Sequence, residues 1–316
     1  MDRHSIPTAR YRIATSFDEA QTFLRAGEFG DENTSVVIKA DGLAAGKGVF
    51  VASGRAEAFE ALRELHNGVA GADAVRKIVI EEALEGPEVS VLLFSDGKDY
   101  RLMPAARDHK RIGENDTGPN TGGMGTITDN SIIDPQTLDR VVREIVEPTL
   151  QGCGDEGFPF RGILFIGLML TADGPRVLEY NVRFGDPETQ SILVRLNTDL
   201  ASIFMAIAGR RLSDLPVAWS TDASACVVLA SRGYPAKAET GATISGLEGA
   251  AEHEQVSIFH AATSRGNGDW FTNGGRVLGV TATGENLNSA LERCYGAVAE
   301  IHWEGMQYRR DIGRIR

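Results

Sequence analysis

Cysteine is scarce in this chain: Cys153, Cys226 and Cys294 stand far apart with no C-x-x-C pair, which excludes a disulfide framework and a cysteine zinc site. Long apolar runs are missing too. Those such as Ile163 to Ile166 end at glycine or polar residues, far short of the roughly 18 apolar residues that suggest a membrane span. The opening residues, Met1 to Pro7, lack the apolar stretch of a secretory leader, so a cytoplasmic protein is expected. The six histidines include no pair at metal-ligand spacing. Positive charge is also in deficit: 32 Lys and Arg against 44 Asp and Glu leave a net charge of −12. A general nucleic-acid surface is thereby disfavoured, and any phosphate has to be met locally.

What is present is ordinary globular composition, 42% hydrophobic and 24% charged over 316 residues, enough for two or three compact units. Glycine is abundant, at 36 residues, and gathers in a few loops, which is where function is sought. Phe17 to Arg25 has helical spacing, with Ser16 as N-cap and Gly27 as stop. Strands are expected at Val36 to Ala40 and Val49 to Ala52, then a helix over Ala56 to His66. A short strand, Ile78 to Glu81, precedes the break Glu85-Gly86-Pro87, read as an interlobe connector, and a longer strand, Val89 to Phe94. Residues 108 to 126 show no periodicity and read as a binding loop. Leu138 to Gly152 and Ser191 to Ala208 read as helices. Ile163 to Leu170 and Val177 to Arg183 read as strands of a mostly antiparallel sheet. Short strands and a helix from about Asp222 onward point to a separate carboxy-terminal domain after a link at Pro216 to Thr221.

Asp41-Gly42-Leu43-Ala44-Ala45-Gly46-Lys47-Gly48 is not a P-loop, which needs four residues between its glycines and Ser or Thr after the Lys. Lying between two strands, it suits a flexible lid over phosphates, with Lys39 on the incoming strand in reach of them; an ordinary glycine-rich hairpin suits it equally. In Val177 to Arg183 a period of two sets Glu179, Asn181 and Arg183 on one face and Leu178, Tyr180 and Val182 on the other. Glu179 and Asn181 offer hard oxygen ligands of the kind magnesium shares with substrate phosphates, or line a half-solvated strand. Arg183-Phe184-Gly185-Asp186-Pro187-Glu188-Thr189-Gln190 suits a small polar substrate or a capped turn. Asp116 to Gly125, with Asn120, Thr121, Gly122 and Gly123, permits close approach of backbone to a ligand or forms an Ω-like loop. Asp108-His109-Lys110-Arg111 reads as a solvated charge run.

Taken together and in order, Val37 to Gly48, Asp108 to Arg111 with Asp116 to Gly125, and Asn181 to Gln190 resemble the phosphoribosylamine–glycine ligases of purine biosynthesis, in the ATP-grasp superfamily. Thr272 to Leu278 and Asp311-Ile312-Gly313 carry the resemblance to the end of the chain. It implies an α+β ATP-grasp fold, two α+β lobes gripping ATP, over residues 1–217 (lid lobe about 12–80, main lobe about 81–217), then a small mixed α/β domain over 218–316. It implies small-molecule substrates, namely ATP, glycine and 5-phosphoribosylamine, with Mg²⁺ or Mn²⁺, and no nucleic acid or membrane. ATP would be met by Lys39, Gly42, Gly46, Lys47 and Gly48, by the Glu81-Glu82-Ala83-Leu84 hinge through its backbone, and by Glu88 at the ribose. Glu179 and Asn181 would hold metal. Arg183 and Asp186 would hold glycine, Lys39 and Arg183 being the catalytic candidates, and Asn120 to Gly125 would close around the second substrate. The family normally begins with an α/β domain of about one hundred residues that has no counterpart here, and a nucleotide lysine is expected within it. Two other readings stay open: a different ATP-grasp carboxylate–amine ligase, and a nucleotide-binding fragment inactive without that domain.

Overall fold

The computed structural model describes residues 1–42, 48–68 and 77–314. It divides into two compact units, one of Pro7–Pro87 with Thr171–Arg176, the other of Met1–Ile6, Glu88–Leu170 and Val177–Arg316. The division falls at the break expected at Glu85-Gly86-Pro87.

The first unit contains β1 (Tyr11–Ala14), α1 (Phe17–Ala26), β2 (Val36–Ala40), β3 (Val49–Ala52), α2 (Arg55–His66) and β4 (Ile78–Glu82). The strands pair antiparallel in the order β1-β4-β2-β3. Alternation along these β-branched strands separates two faces. Ala14, Ile38, Ala52 and Ile80 are buried in a core shared with Leu24, Leu62 and Leu65 of the helices. The opposite face, in register through Ile13, Val79, Lys39 and Val49, stays accessible. Helix α1 begins where expected: the Ser16 side chain accepts the Glu19 N–H, and Gly27 ends it in the left-handed region at φ 70°. Each such cap contributes about 1 kcal/mol.

The second unit opens with β5 (Glu88–Asp96), β6 (Tyr100–Leu102), β7 (Ala106–Asp108), β8 (Arg111–Gly113), β9 (Thr117–Asn120) and β10 (Gly125–Thr128). Helices α3 (Pro135–Val141) and α4 (Glu147–Asp155) follow, then β11 (Arg161–Thr171), β12 (Gly174–Asn181), α5 (Glu188–Leu193) and α6 (Leu200–Ala208). The remainder is β13 (Ala223–Ala230), β14 (Thr243–Ile244), α7 (Leu247–Glu252), β15 (Val256–His260), β16 (Thr263–Gly266), β17 (Asp269–Thr272), β18 (Arg276–Gly284) and α8 (Leu287–Val298). One large sheet runs β12-β11-β5-β7-β10-β13-β18-β15, antiparallel from β11 to β15. Both of its faces are covered. Along β5, Val89, Val91 and Leu93 share a core with Val141, Ile145 and Val298, while Leu92 and Phe94 join Ile192, Ile203 and Ile207.

Several expectations change. Residues 108–126 are not an irregular loop, because β8 pairs with β9 and β10 pairs with both β7 and β13. The single helix expected over Ser191 to Ala208 is two, and Asp199 caps the second by accepting the Ser202 N–H at 2.7 Å. The strand from Val177 ends at Asn181, so alternation does not place Val182 or Arg183; Val182 is 74% exposed instead of lining an apolar face. Residues beyond 218 share the large sheet and core with those before it, through β10 pairing with β13. The three cysteines are free thiols, and burial pushes Cys226 up to about 12, which leaves it unreactive. Among the described residues no helix is long and apolar enough to cross a membrane.

Candidate functional site

On the first unit, the accessible sheet face exposes Ile13, Val49 and Val51 at 46%, 51% and 52%. Set among them is an ion pair, Lys39 Nζ to Glu81 Oε2 at 2.7 Å. An open apolar surface carrying this ion pair suits a flat aromatic group that bears phosphate. Gly42 and Gly48 flank the expected lid, and β2 and β3 close as a hairpin stem, with the Ala40 N–H donated to the Gly48 carbonyl at 2.8 Å. Gly46 and Lys47 lie outside the described residues. Of the expected hinge, Glu82 is already committed: its carboxylate accepts from Arg10 N and Nε, and its N–H is donated to the Arg10 carbonyl. Ala83 and Leu84 follow the end of β4. Backbone contacts to a base fall more readily to them.

On the second unit, β12 ends in Glu179 and Asn181, whose Nδ2 donates to Glu179 Oε1 at 3.3 Å. Each side chain carries a hard oxygen, with the Asn181 amide nitrogen turned to the carboxylate. No group of three or more His, Cys, Asp or Glu suited to a metal occurs among the described residues. The pair fits a cation that completes its shell with water and phosphate oxygens, as Mg²⁺ does. Two residues on, the Arg183 guanidinium donates to the Phe184 carbonyl at 2.7 Å. Asp186 Oδ1 accepts from Gln190 at 3.1 Å.

The loop after β9 is held at nearly every residue. Thr121 donates through N and Oγ1 to the Lys110 carbonyl, both at 2.8 Å, and its Oγ1 accepts the Gly123 N–H. Gly122 donates its N–H to the Tyr234 hydroxyl at 2.9 Å. Its carbonyl accepts from Arg276 at 2.7 Å. Gly123 has φ +112°, and a Cβ there would stand 2.5 Å from Pro187 Cδ and 2.7 Å from Asp108 Oδ1. Only glycine lets this loop meet the Asp186-Pro187 turn.

Beneath the loop lies a set of charges that does not behave as a solvated run. Asp108 Oδ1 is buried without a hydrogen-bond partner, and Glu188, 5% exposed, accepts from the Ser90 hydroxyl. Burial pushes the Asp108 carboxyl well above the usual carboxylate range, reinforced by Glu188 and opposed by Lys110. Glu188 is raised too, again chiefly by burial. Burial works against the Lys110 ammonium, yet Glu88, at 2.6 Å, and then Asp108 and Glu179 raise it. Glu88 is therefore already paired, and a ribose would have to share it. An ammonium group brought to Asp108 would hold that carboxyl ionised, since opposite charge offsets desolvation. His109, 7% exposed, is held below its ordinary pKa by burial and by Arg309. The network assigns its proton to Nδ1, toward the Gly125 carbonyl, leaving Nε2 to accept the Gly313 N–H.

Residues 1–189 match the family model described as phosphoribosylglycinamide synthetase, ATP-grasp (A) domain, and residues 224–315 match that family's C domain. The chain belongs to the phosphoribosylglycinamide synthetase family. It is 44% identical over 312 residues to a phosphoribosylamine–glycine ligase of Vibrio vulnificus, covering 98% of this chain and 71% of that one. To the Rhodopirellula baltica protein of the same name it is 45% identical over 310 residues, covering 97% and 71%. The crystal structure of phosphoribosylamine–glycine ligase from Thermotoga maritima superposes with a TM-score of 0.83 at 35% identity, covering 99% of this chain and 76% of that one. The ATP-grasp fold and the family resemblance are thus both established.

Sequence reasoning took Asp108 and His109 for part of a solvated charge run and Glu188 for part of a polar turn, because their burial depends on strands distant in sequence. It passed over Tyr234, Arg276 and Arg309. Arg276 and Asp311 sit inside motifs that carried the resemblance, which was the available signal for that neighbourhood. Nothing local marks Arg309, 1% exposed, as a buried cation.

Proposed function

We infer that the chain ligates glycine to 5-phosphoribosylamine, with ATP converted to ADP and phosphate, giving glycinamide ribonucleotide in purine biosynthesis. A glycine carboxylate oxygen attacks the γ-phosphorus, the bond to the β-phosphate oxygen breaks, and ADP leaves. The amine nitrogen then attacks the acyl carbon of glycyl phosphate, and phosphate leaves as the amide forms and the nitrogen loses a proton. Phosphoryl transfer of this kind rests mainly on positioning and charge neutralisation. Lys39 meets phosphate charge, and Ala83 and Leu84 offer backbone to the base beside Glu81, with Glu88 for the ribose. Arg183 takes the glycine carboxylate and Asp186 its ammonium. Asn120, Thr121, Gly122 and Gly123 shelter the second substrate from water. Mg²⁺ or Mn²⁺, when held by Glu179 and Asn181, neutralises charge that develops on the phosphates.

One observation carries this reading: Glu179 and Asn181 lead straight into the Arg183 to Asp186 turn, and Gly123 packs against Pro187 at the end of that turn. Phosphate-side and substrate-side groups thereby share one short stretch of chain. A module boundary near 217 to 218 is kept as a proposal about sequence modules, because the two segments share a sheet. The decisive assay supplies ATP, Mg²⁺, glycine and phosphoribosylamine and follows ADP and glycinamide ribonucleotide together. Equal yields, lost when either acceptor or glycine is omitted, are expected. Ligation of a different carboxylate and amine would favour another ATP-grasp ligase, and metal-dependent ATP binding without ligation would favour the fragment reading.

A further inference from the structure

Arg276 opens β18, in the segment that matches the family's C domain, yet its side chain is spent on residues 122 and 186 of the other module. Its Nη1 donates to the Gly122 carbonyl at 2.7 Å and to the Asp186 carbonyl at 2.8 Å, and stands 3.3 Å from Asp186 Oδ1. One nitrogen with two N–H bonds thus holds two carbonyls from segments 64 residues apart. The guanidinium also lies where a side chain on residue 122 would be: a Cβ there would come within 2.9 Å of Arg276 Cζ. Tyr234, from the same carboxy-terminal module, takes the Gly122 N–H. Both backbone groups of Gly122 are therefore fixed by residues outside its own loop. The side chain of Arg276 is 23% exposed. Its charge is therefore partly desolvated and its hydrogen bonds are charge-assisted, among the stronger kinds.

We propose that Arg276, assisted by Tyr234, is a positioning residue that sets the spacing between the Asn120–Gly125 loop and the Arg183–Asp186 turn, so that the carboxy-terminal module determines how the amine acceptor and glycine are brought together. The inference rests on the functional reading above for what the two segments bind. The fixed spacing is independent of it. The hydrogen bonds of Arg276 go to the loop and the turn. Its loss acts on the union of glycine with the amine and leaves nucleotide binding alone. A lysine would keep the charge but not the fixed N–H directions that the rigid guanidinium gives Nη1.

The test uses Arg276→Ala, Arg276→Lys and Tyr234→Phe in the full chain. Misplacement of reacting groups by about 1 Å costs on the order of a hundredfold, so Arg276→Ala should lower kcat/KM for glycine and for phosphoribosylamine to about that extent. ATP affinity by calorimetry should stay within about twofold. Added guanidinium ion should restore part of the rate to Arg276→Ala, and Tyr234→Phe should show a smaller loss of the same kind. Wild-type kinetics retained by Arg276→Ala, or a loss matched by an equal fall in ATP affinity and unrescued by guanidinium, would overturn the proposal and leave the ligase reading standing. A wild-type chain that makes no glycinamide ribonucleotide sinks the ligase reading instead. Hydrogen exchange of the free protein then decides the spacing role without turnover. Residues 120–125 and 184–190 should both exchange faster in Arg276→Ala, and unchanged exchange in either segment would refute it.

Discussion

Replacing Glu179 with alanine is expected to cut glycine-dependent phosphate release by on the order of 10²- to 10³-fold, the scale of losing one preorganised electrostatic contact to developing charge. The residue is exposed, and Asn181 Nδ2 at 3.3 Å is its recorded hydrogen-bond partner. Stability should therefore change by no more than about 0.5 kcal/mol, as for a surface substitution. Separation of the two effects is what distinguishes a ligand-binding carboxylate from a structural one. Asn181→Ala should act in the same direction, and both variants should need more divalent cation for half-maximal rate. A Glu179→Ala protein with unaltered cation dependence would remove the pair from the metal assignment.

Arg309→Ala should damage the fold itself. The guanidinium is 1% exposed and binds Asp311 through two parallel contacts of 2.8 Å, with the Asp116 carboxylate at 2.7 Å and the Arg111 carbonyl at 3.2 Å. Asp311 also accepts the Asn115 N–H at 2.8 Å, where Asn115 and Asp116 both hold positive φ. Removing one partner of a buried ion pair costs roughly 3–5 kcal/mol, because the other charge stays buried without compensation. Asp116, two-thirds exposed, adds little of this. Arg309→Lys should fall between alanine and wild type, since an ammonium cannot make the paired contact. Burial alone would raise the Asp311 carboxyl, but Arg309 and the Asn115 N–H outweigh it and hold it below the ordinary range. A depressed carboxylate contributes stability above its unfolded pKa and loses it as pH falls through the folded value. The gap between wild type and Arg309→Ala, followed by denaturant unfolding, should therefore be full at neutral pH and narrow below about pH 4. A gap that does not depend on pH would assign the cost to lost packing alone.

Short-range rules made much of this molecule legible. Ser16 and Gly27 bracket α1 because caps act within one turn of chain, and Val36 to Ala40 announces a strand through its own β-branched residues. The shared face of Glu179 and Asn181 on their strand was readable for the same reason: a period of two needs no distant partner. That rule then failed at Val182, where the strand ends and alternation no longer applies. Residues 108–126 looked structureless because β7 and β10 owe their form to each other and to β13, far along the chain. Ser191 to Ala208 looked like one helix because its apolar spacing runs through the point where Asp199 starts a second. Asp108, Glu188 and Arg309 show the deepest limit, since a charge is buried by what folds over it. The loop at Asn120 to Gly125 and the turn at Arg183 to Asp186 were each visible in the chain, but not the arginine that joins them.

The central claim, that glycine is activated as an acyl phosphate before the amine attacks, is tested most directly by following oxygen. Glycine labelled with ¹⁸O in its carboxylate is supplied with ATP, Mg²⁺ and phosphoribosylamine, and the released phosphate is analysed by mass spectrometry. The account predicts that one glycine oxygen passes to each phosphate, so that phosphate carries a single ¹⁸O and glycinamide ribonucleotide keeps the other. Phosphate released without label while glycinamide ribonucleotide accumulates would contradict it.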